Sequence, residues 1–246
     1  MTPYRFDAVG DTRSAKEMDY LYKLADVIKR SPFSPVEQFA NFPLYTPRQN
    51  LTSFLAKYEL FQRILTVHGS IVECGVGFGG GLITWAQLSA ILEPINHTRR
   101  VIGFDTFAGF PTVSEHDHAA VGDLAIDSKA EIEACAALYD QNRAVGHIPK
   151  VELIKGDAWK TMPQYLDEHP YLIISLLYLD FDLYTPTSRA LEVFVPQMPS
   201  GAIVAFDELN MQEWPWETKA VKEYFTRREL RLERCPFAST ISWAQL

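Results

Sequence analysis

One stretch constrains this chain more than any other. An apolar run, Ser70 to Val72, leads into Glu73-Cys74-Gly75-Val76-Gly77-Phe78-Gly79-Gly80-Gly81, and a helical pattern, Leu82 to Leu92, follows at once. Strand, glycine turn and helix in that order set a helix N-terminus, with its unpaired N–H groups, beside a strand end. Glycine lets the backbone turn sharply and approach a ligand closely. The stretch reads as a nucleotide-type site; the bland alternative is a glycine-rich turn that holds nothing.

Spacing alone does not say which nucleotide. Gly75, Gly77 and Gly80 fit G-x-G-x-x-G, the dinucleotide fingerprint, and by that pattern alone an NAD-dependent oxidoreductase is a rival. Two features argue against it. Glu73, just before the first glycine, would repel a pyrophosphate, and a long segment precedes the motif where a simple dinucleotide domain begins near it. An acid facing the loop suits S-adenosylmethionine, whose methionine end carries an ammonium and whose sulfur is positive.

The remainder of the chain alternates strand and helix after Ser70, which predicts an α/β fold with a parallel sheet and helices on both faces. Strands are expected at Arg100–Phe104, Lys150–Lys155, Tyr171–Leu179 and Ala202–Phe206. The tail differs: Glu229–Cys235 and Thr240–Leu246, joined by a short Pro236-Phe237 turn, should form a C-terminal antiparallel hairpin, which completes a mostly parallel seven-stranded sheet. Upstream, Ser14–Arg30 has helical spacing at Met18, Leu21, Leu24, Ala25 and Ile28. Residues 31–47, punctuated by Pro32, Pro35, Pro43 and Pro47, read as irregular. Thr46 and Pro47 open a helix whose apolar face is Leu51, Phe54, Leu55, Tyr58, Phe61, Ile64 and Leu65; core packing suits that face better than a dimer partner. Residues 1–69 are thus a helical and irregular cover segment and 70–246 the cofactor domain. Ser128 and Glu131 predict a capping box opening a helix to about Val145.

With 246 residues, net charge −8 and a pI near 5.3, nucleic acid is a poor partner. Arg227, Arg228, Arg231 and Arg234 alternate with Glu229 and Glu233 as a solvated face would. Cys74, Cys135 and Cys235 are too widely spaced for a zinc site or disulfide framework, and Cys74 should pack as a small buried residue. The lead-in is polar and the longest apolar run, Leu172 to Leu179, is too short for a bilayer, so a cytoplasmic setting is expected.

In an open parallel sheet, ligands sit beyond the carboxyl ends of the strands. Here every candidate parallel strand ends at or near an acid: Glu73, Asp105, Asp157, Asp180 and Asp207. Such a rim repels itself unless cations or hydroxyls lie in it. Asp105 is placed to accept from ribose hydroxyls and Asp157 from an adenine amino group; either can instead cap a helix or a turn. Asp180, Asp182, Asp207 and Glu208 form a second group, on strands expected to be neighbours. Hard oxygens of that kind suit Mg²⁺, or Mn²⁺ or Ca²⁺. The polar loop Thr106–Ala125 is long enough for a lid, and its Glu115-His116-Asp117-His118 is either a second metal site or a solvated surface.

Four blocks resemble the macrocin O-methyltransferase family: Glu73–Gly80; Gly103-Phe104-Asp105-Thr106-Phe107-Ala108-Gly109-Phe110-Pro111; Leu179-Asp180-Phe181-Asp182-Leu183-Tyr184; and Phe206-Asp207-Glu208. The upstream helix, Thr46 to Leu60, is similar to the one before the core in sugar methyltransferases of enediyne pathways. The resemblance implies a Rossmann-like class I methyltransferase that uses S-adenosylmethionine on a sugar hydroxyl, with no nucleic-acid or membrane partner. It further implies that Glu73, Gly75, Gly77, Gly79, Gly80 and Asp105 bind cofactor and that Asp180, Asp207 and Glu208 hold Mg²⁺; Thr106 and Asp157 are read as further cofactor residues, and Asp180 or Asp182 as the carboxylate that takes the hydroxyl proton. The chain departs from the family at one point: the usual Asp-Asp pair is Asp207-Glu208 here. Other small-molecule hydroxyls remain open as acceptors, as do a non-catalytic binding protein and a homo-oligomer.

Overall fold

Alternation along the strands decides the layers. In β1 (Ser70–Cys74), Val72 and Cys74 point to one face while Ile71 points to the other. In β4 (Ile174–Leu179), Leu177 and Leu179 share the first face, Leu176 and Tyr178 the second. Both faces are apolar, so both must be covered. The computed structural model describes residues 14–113, 119–212, 214–226 and 230–246. Glu115–His118 of the polar loop, the lead-in, and Arg227, Arg228 and Glu229 lie outside the described residues.

The sheet runs β3-β2-β1-β4-β5-β7-β6, with β2 (Val101–Asp105), β3 (Val151–Lys155) and β5 (Ile203–Phe206) parallel to β1 and β4. β7 (Ser242–Gln245) pairs antiparallel with β5, and β6 (Glu233–Arg234) antiparallel with β7. The expected hairpin is therefore present, and its second strand is the one joined to the parallel sheet. Helices α3 (Arg48–Ile64), α4 (Gly80–Leu92) and α5 (Lys129–Asp140) pack with Ile71, Leu176, Tyr178, Ile203 and Trp243 on one face. Helices α6 (Ala158–Glu168), α7 (Tyr184–Phe194) and α8 (Pro215–Tyr224) pack with Phe104, Leu177, Leu179 and Phe206 on the other.

The chain divides into two compact units, Met1–Ser53 and Phe54–Leu246. In the first, α1 (Ala15–Arg30) is closed by a Ser14–Glu17 capping box. The proline-rich stretch is less irregular than expected. Pro35 stands at the first turn of a short helix, α2 (Pro35–Ala40), and Ser34 and Glu37 cap it reciprocally. Proline at that position lacks only an N–H that would be unpaired anyway.

Three other expectations shift. The buried stripe of α3 is Ala56, Lys57, Leu60, Phe61 and Ile64, whereas Phe54, Leu55 and Leu65 are exposed. A lysine outside the expected apolar face is thus among the buried residues. Ser128 makes no cap bond to α5; its hydroxyl donates instead to the Gly77 carbonyl, 2.6 Å away. α5 ends at Asp140 rather than near Val145.

At the amino-terminal edge of the sheet, Arg99 is 3% exposed. Its guanidinium donates to Gly69 O at 2.8 Å, to Ile64 O and Val67 O at 3.0 Å each, and to the Ser175 hydroxyl, while Nε pairs with Glu93 at 2.8 Å. One side chain therefore joins the end of α3, β1 and β4 to the residue after α4. No described helix is long and apolar enough to cross a membrane.

Candidate active site

The glycine turn after β1 is held from both sides. Asp105, at the end of β2, accepts from Val76 N at 2.8 Å and Gly77 N at 2.9 Å through Oδ2, and from Phe107 N at 2.7 Å through Oδ1. Ser128 takes the Gly77 carbonyl from the other side. Gly75 has φ of 87°, and a Cβ there would lie 1.9 Å from the Asp180 carbonyl oxygen. Gly79 is the left-handed residue before α4. A Cβ on Gly80 would meet no protein atom within 4 Å, so its surroundings are open.

Glu73 is not on the rim. Its parity sends it to the α3/α4 face, where it is 2% exposed. Its Oε1 lies against Gly81, where a Cβ would come within 2.2 Å, and Oε2 has no hydrogen-bond partner. Burial pushes its carboxyl above the ordinary range, and the Lys57 ammonium opposes that shift. Thr106 is tied into its own turn, donating to Gly109 O at 2.6 Å. Asp157 caps α6, accepting from Trp159 N at 3.0 Å through Oδ1, as one of its two expected roles requires. Cys74 is fully buried, and burial raises its thiol further out of reach of ionisation.

The second acidic group comes together because β4 and β5 are neighbours, with Leu179 opposite Phe206. Asp180 N continues the ladder to Cys74 O at 2.9 Å, and Asp207 N to Leu179 O at 3.1 Å. Asp182 sits in a tight turn at φ 61°, closed by Leu183 N to Phe181 O at 2.6 Å. Asp tolerates this left-handed conformation better than most residues. Asp207 accepts from the Tyr178 hydroxyl. Desolvation and the neighbouring Asp207 and Asp182 push Asp180 well up. Desolvation lifts Asp182 to about 6, and desolvation with the adjacent Asp182 lifts Glu208 to about 9. The contact between the two carboxyls lowers Asp182 and raises Glu208, so it favours the shared proton on Glu208.

Sequence reasoning missed Glu217. It stands in the first turn of α8, is 1% exposed, and accepts from Glu208 N at 3.0 Å. Its only signal was an acid at the start of a helix after Trp214-Pro215-Trp216. Glu208 Oε2 and Glu217 Oε1 are buried without partners. Among the described residues, no three Asp, Glu, His or Cys side chains converge as a metal-ligand set. The chemistry of the acidic pocket nevertheless suits a hard cation: the donors are carboxylates, mutually repulsive, with orphaned oxygens. Beyond it, Asn210, Thr218, Lys219 and Lys222 line an open groove. Tyr184 binds Glu223 through its hydroxyl and carries Lys219 on its ring, whereas Trp214 is buried.

The raised carboxyls set a pH dependence. A carboxyl whose folded value exceeds its unfolded value favours the folded chain at low pH and loses that contribution as pH rises. Here the loss should run from the ordinary range through about 6 for Asp182 and about 9 for Glu208. Glu208→Gln keeps the shape of the protonated acid without the cost of taking up a proton. It should raise the melting temperature of the ligand-free protein at pH 8 by about 2–6 °C and leave it unchanged near pH 4. An equal shift at both pH values would contradict the assignment.

The macrocin-O-methyltransferase (TylF) family profile matches residues 56–235. This chain belongs to the macrocin O-methyltransferase family. It is 32% identical to CalS11, a calicheamicin methyltransferase, over 98% of both chains, with a TM-score of 0.92. An apo structure of CalS11, described as a TDP-rhamnose 3'-O-methyltransferase of calicheamicin biosynthesis, gives 32% identity over 95% of both chains and a TM-score of 0.84. The chain is also 29% identical over 155 residues to the 8-demethyl-8-(2,3-dimethoxy-alpha-L-rhamnosyl)-tetracenomycin-C 4'-O-methyltransferase of Streptomyces olivaceus. That match covers 58% of this chain and about half, 53%, of the relative. The macrocin family match spans both the glycine turn and the acidic pocket, and the class I methyltransferase fold expected from the four blocks is the fold observed.

Proposed function

We propose that the protein is an S-adenosylmethionine-dependent O-methyltransferase acting on a sugar hydroxyl, presented on a glycoside or a nucleotide sugar. The observation that carries this is the near full-length likeness to a sugar methyltransferase, with its cofactor turn and acidic pocket side by side. When bound, the cofactor supplies a methyl group made electrophilic by its sulfonium. The chain's own residues bind, orient and deprotonate.

Gly75, Gly77, Gly79 and Gly80 form the cradle, Glu73 stands behind the first turn of α4, and Asp105 fixes the cradle while leaving one lone pair on Oδ1 for a ribose hydroxyl. Thr106 shapes the neighbouring turn, and Asp157 is left to meet the adenine with the oxygen its cap does not use. Asp182, poised near neutrality and hydrogen-bonded by Glu208, is suited to accept the hydroxyl proton, and Asp180 beside it is the other candidate base. Asp180, Asp207 and an ionised Glu208 would be the residues to hold Mg²⁺, which would supply Lewis acidity to the acceptor hydroxyl.

The test is calorimetric titration with S-adenosylhomocysteine, with and without Mg²⁺, and with NAD⁺ as control. Micromolar binding of the homocysteine compound and not of NAD⁺, followed by methylation of a nucleotide sugar or glycoside, is the expected result; binding of NAD⁺ alone would overturn the reading. Asp105→Ala removes charge-assisted acceptors from three loop N–H groups and should weaken that binding by about 10- to 100-fold. Unchanged affinity would remove Asp105 from the site.

A further inference from the structure

Lys57 stands inside the protein, 5% exposed, on the stripe of α3 that packs on the sheet. Lysine is almost never buried without a partner. Its Nζ lies 3.4 Å from the centroid of the Tyr178 ring and 4.9 Å from that of Trp85. Its stem reaches the place where Glu73 meets α4. A Cβ on Gly81 would stand 3.1 Å from Lys57 Cε and 2.2 Å from Glu73 Oε1, so both side chains border one point in the first turn of that helix. Tyr178, beneath the ammonium, turns its hydroxyl to Asp207. Lysine, glutamate and tyrosine therefore form a line from the cofactor turn to the acidic pocket, through the α3/α4 face of the sheet.

We propose that Lys57 is a positioning residue that joins the two halves of the site: its ammonium, seated on Tyr178 beside Glu73, holds the Glu73 carboxylate against the first turn of α4 and the Tyr178 hydroxyl on Asp207. Two features separate this role from simple filling. Methionine fills the same space with no charge to bury. Glu73, moreover, is a buried acid whose Oε2 makes no full hydrogen bond, and the Lys57 charge favours its ionised form more than the Trp85 indole does. The role rests on the methyltransferase reading, because its effect is felt through the cofactor turn.

The experiment is calorimetric titration of S-adenosylhomocysteine into the unaltered protein, Lys57→Met, Lys57→Gln, Glu73→Gln and the Lys57→Met/Glu73→Gln pair. Loss of the cation should raise Kd by about tenfold or more at unchanged stoichiometry, as expected when a charge-assisted arrangement is lost. With Glu73→Gln already present, Lys57→Met should add little, since the two act through each other. Lys57→Gln and the pair, which leaves no uncompensated acid, keep the test open if Lys57→Met does not fold. An unchanged Kd overturns the proposal, as does a fall in stoichiometry alone, which marks a structural lysine. Fully additive effects overturn it too. Failure of the unaltered protein to bind would instead overturn the methyltransferase reading, and this inference with it.

Discussion

Asp180→Asn should lower methyl transfer by about 10²- to 10⁴-fold while leaving S-adenosylhomocysteine affinity close to that of the unaltered protein. The backbone of Asp180 does one task and its side chain another. Its N–H extends the ladder to Cys74 and its carbonyl closes over Gly75, and neither depends on the carboxylate. The side chain belongs to the acidic pocket, where Asp207 and Asp182 crowd it. Asparagine keeps the shape and removes the carboxylate proposed above as proton acceptor and metal ligand. Steady-state kinetics beside calorimetry decides the matter: equal losses in turnover and cofactor affinity would show that Asp180 serves the fold of the turn.

Gly75→Ala should be the most damaging small substitution in the site. At φ 87° an alanine is strained before any contact is considered. Its Cβ would then stand 1.9 Å from the Asp180 carbonyl oxygen and 2.8 Å from the carbonyl carbon. These are backbone atoms, which cannot swing aside as a side-chain end can. Strain and overpacking together should cost about 3–5 kcal/mol, a fall of roughly 10 °C in melting temperature. A melting curve within a degree or two of the unaltered protein's would show that the two turns move apart cheaply.

What the amino acids reveal in order depends on the range of the interaction. The parallel strands and the closing hairpin were legible because alternation and turn residues act within a few positions. The glycine turn was legible because only glycine suits it. Lys57 was overlooked because α3 carries apolar residues around much of its circumference, and the face that packs is chosen by a sheet formed later in the chain. Ser128 looked like a helix cap by its spacing to Glu131, yet its hydroxyl is taken by Gly77, 51 positions away. No local window contains that competition. Glu73 was expected to face the ligand because it adjoins the first glycine; the pleat of β1 turns it inward instead. Glu217 joins the acidic pocket only because the loop after β5 folds back onto the start of α8.

Arg99 is at the other end of the sheet from all of this chemistry. By tying the entry points of β1 and β4 to the ends of two helices, it confines the strands' alignment to the rim that does no catalysis. The loops at the opposite rim are thereby relieved of holding the strands in register. Such a division lets an acceptor pocket be remodelled through many generations of substitution without the scaffold being put at risk, which is one physical route by which a single architecture can come to serve many different sugars.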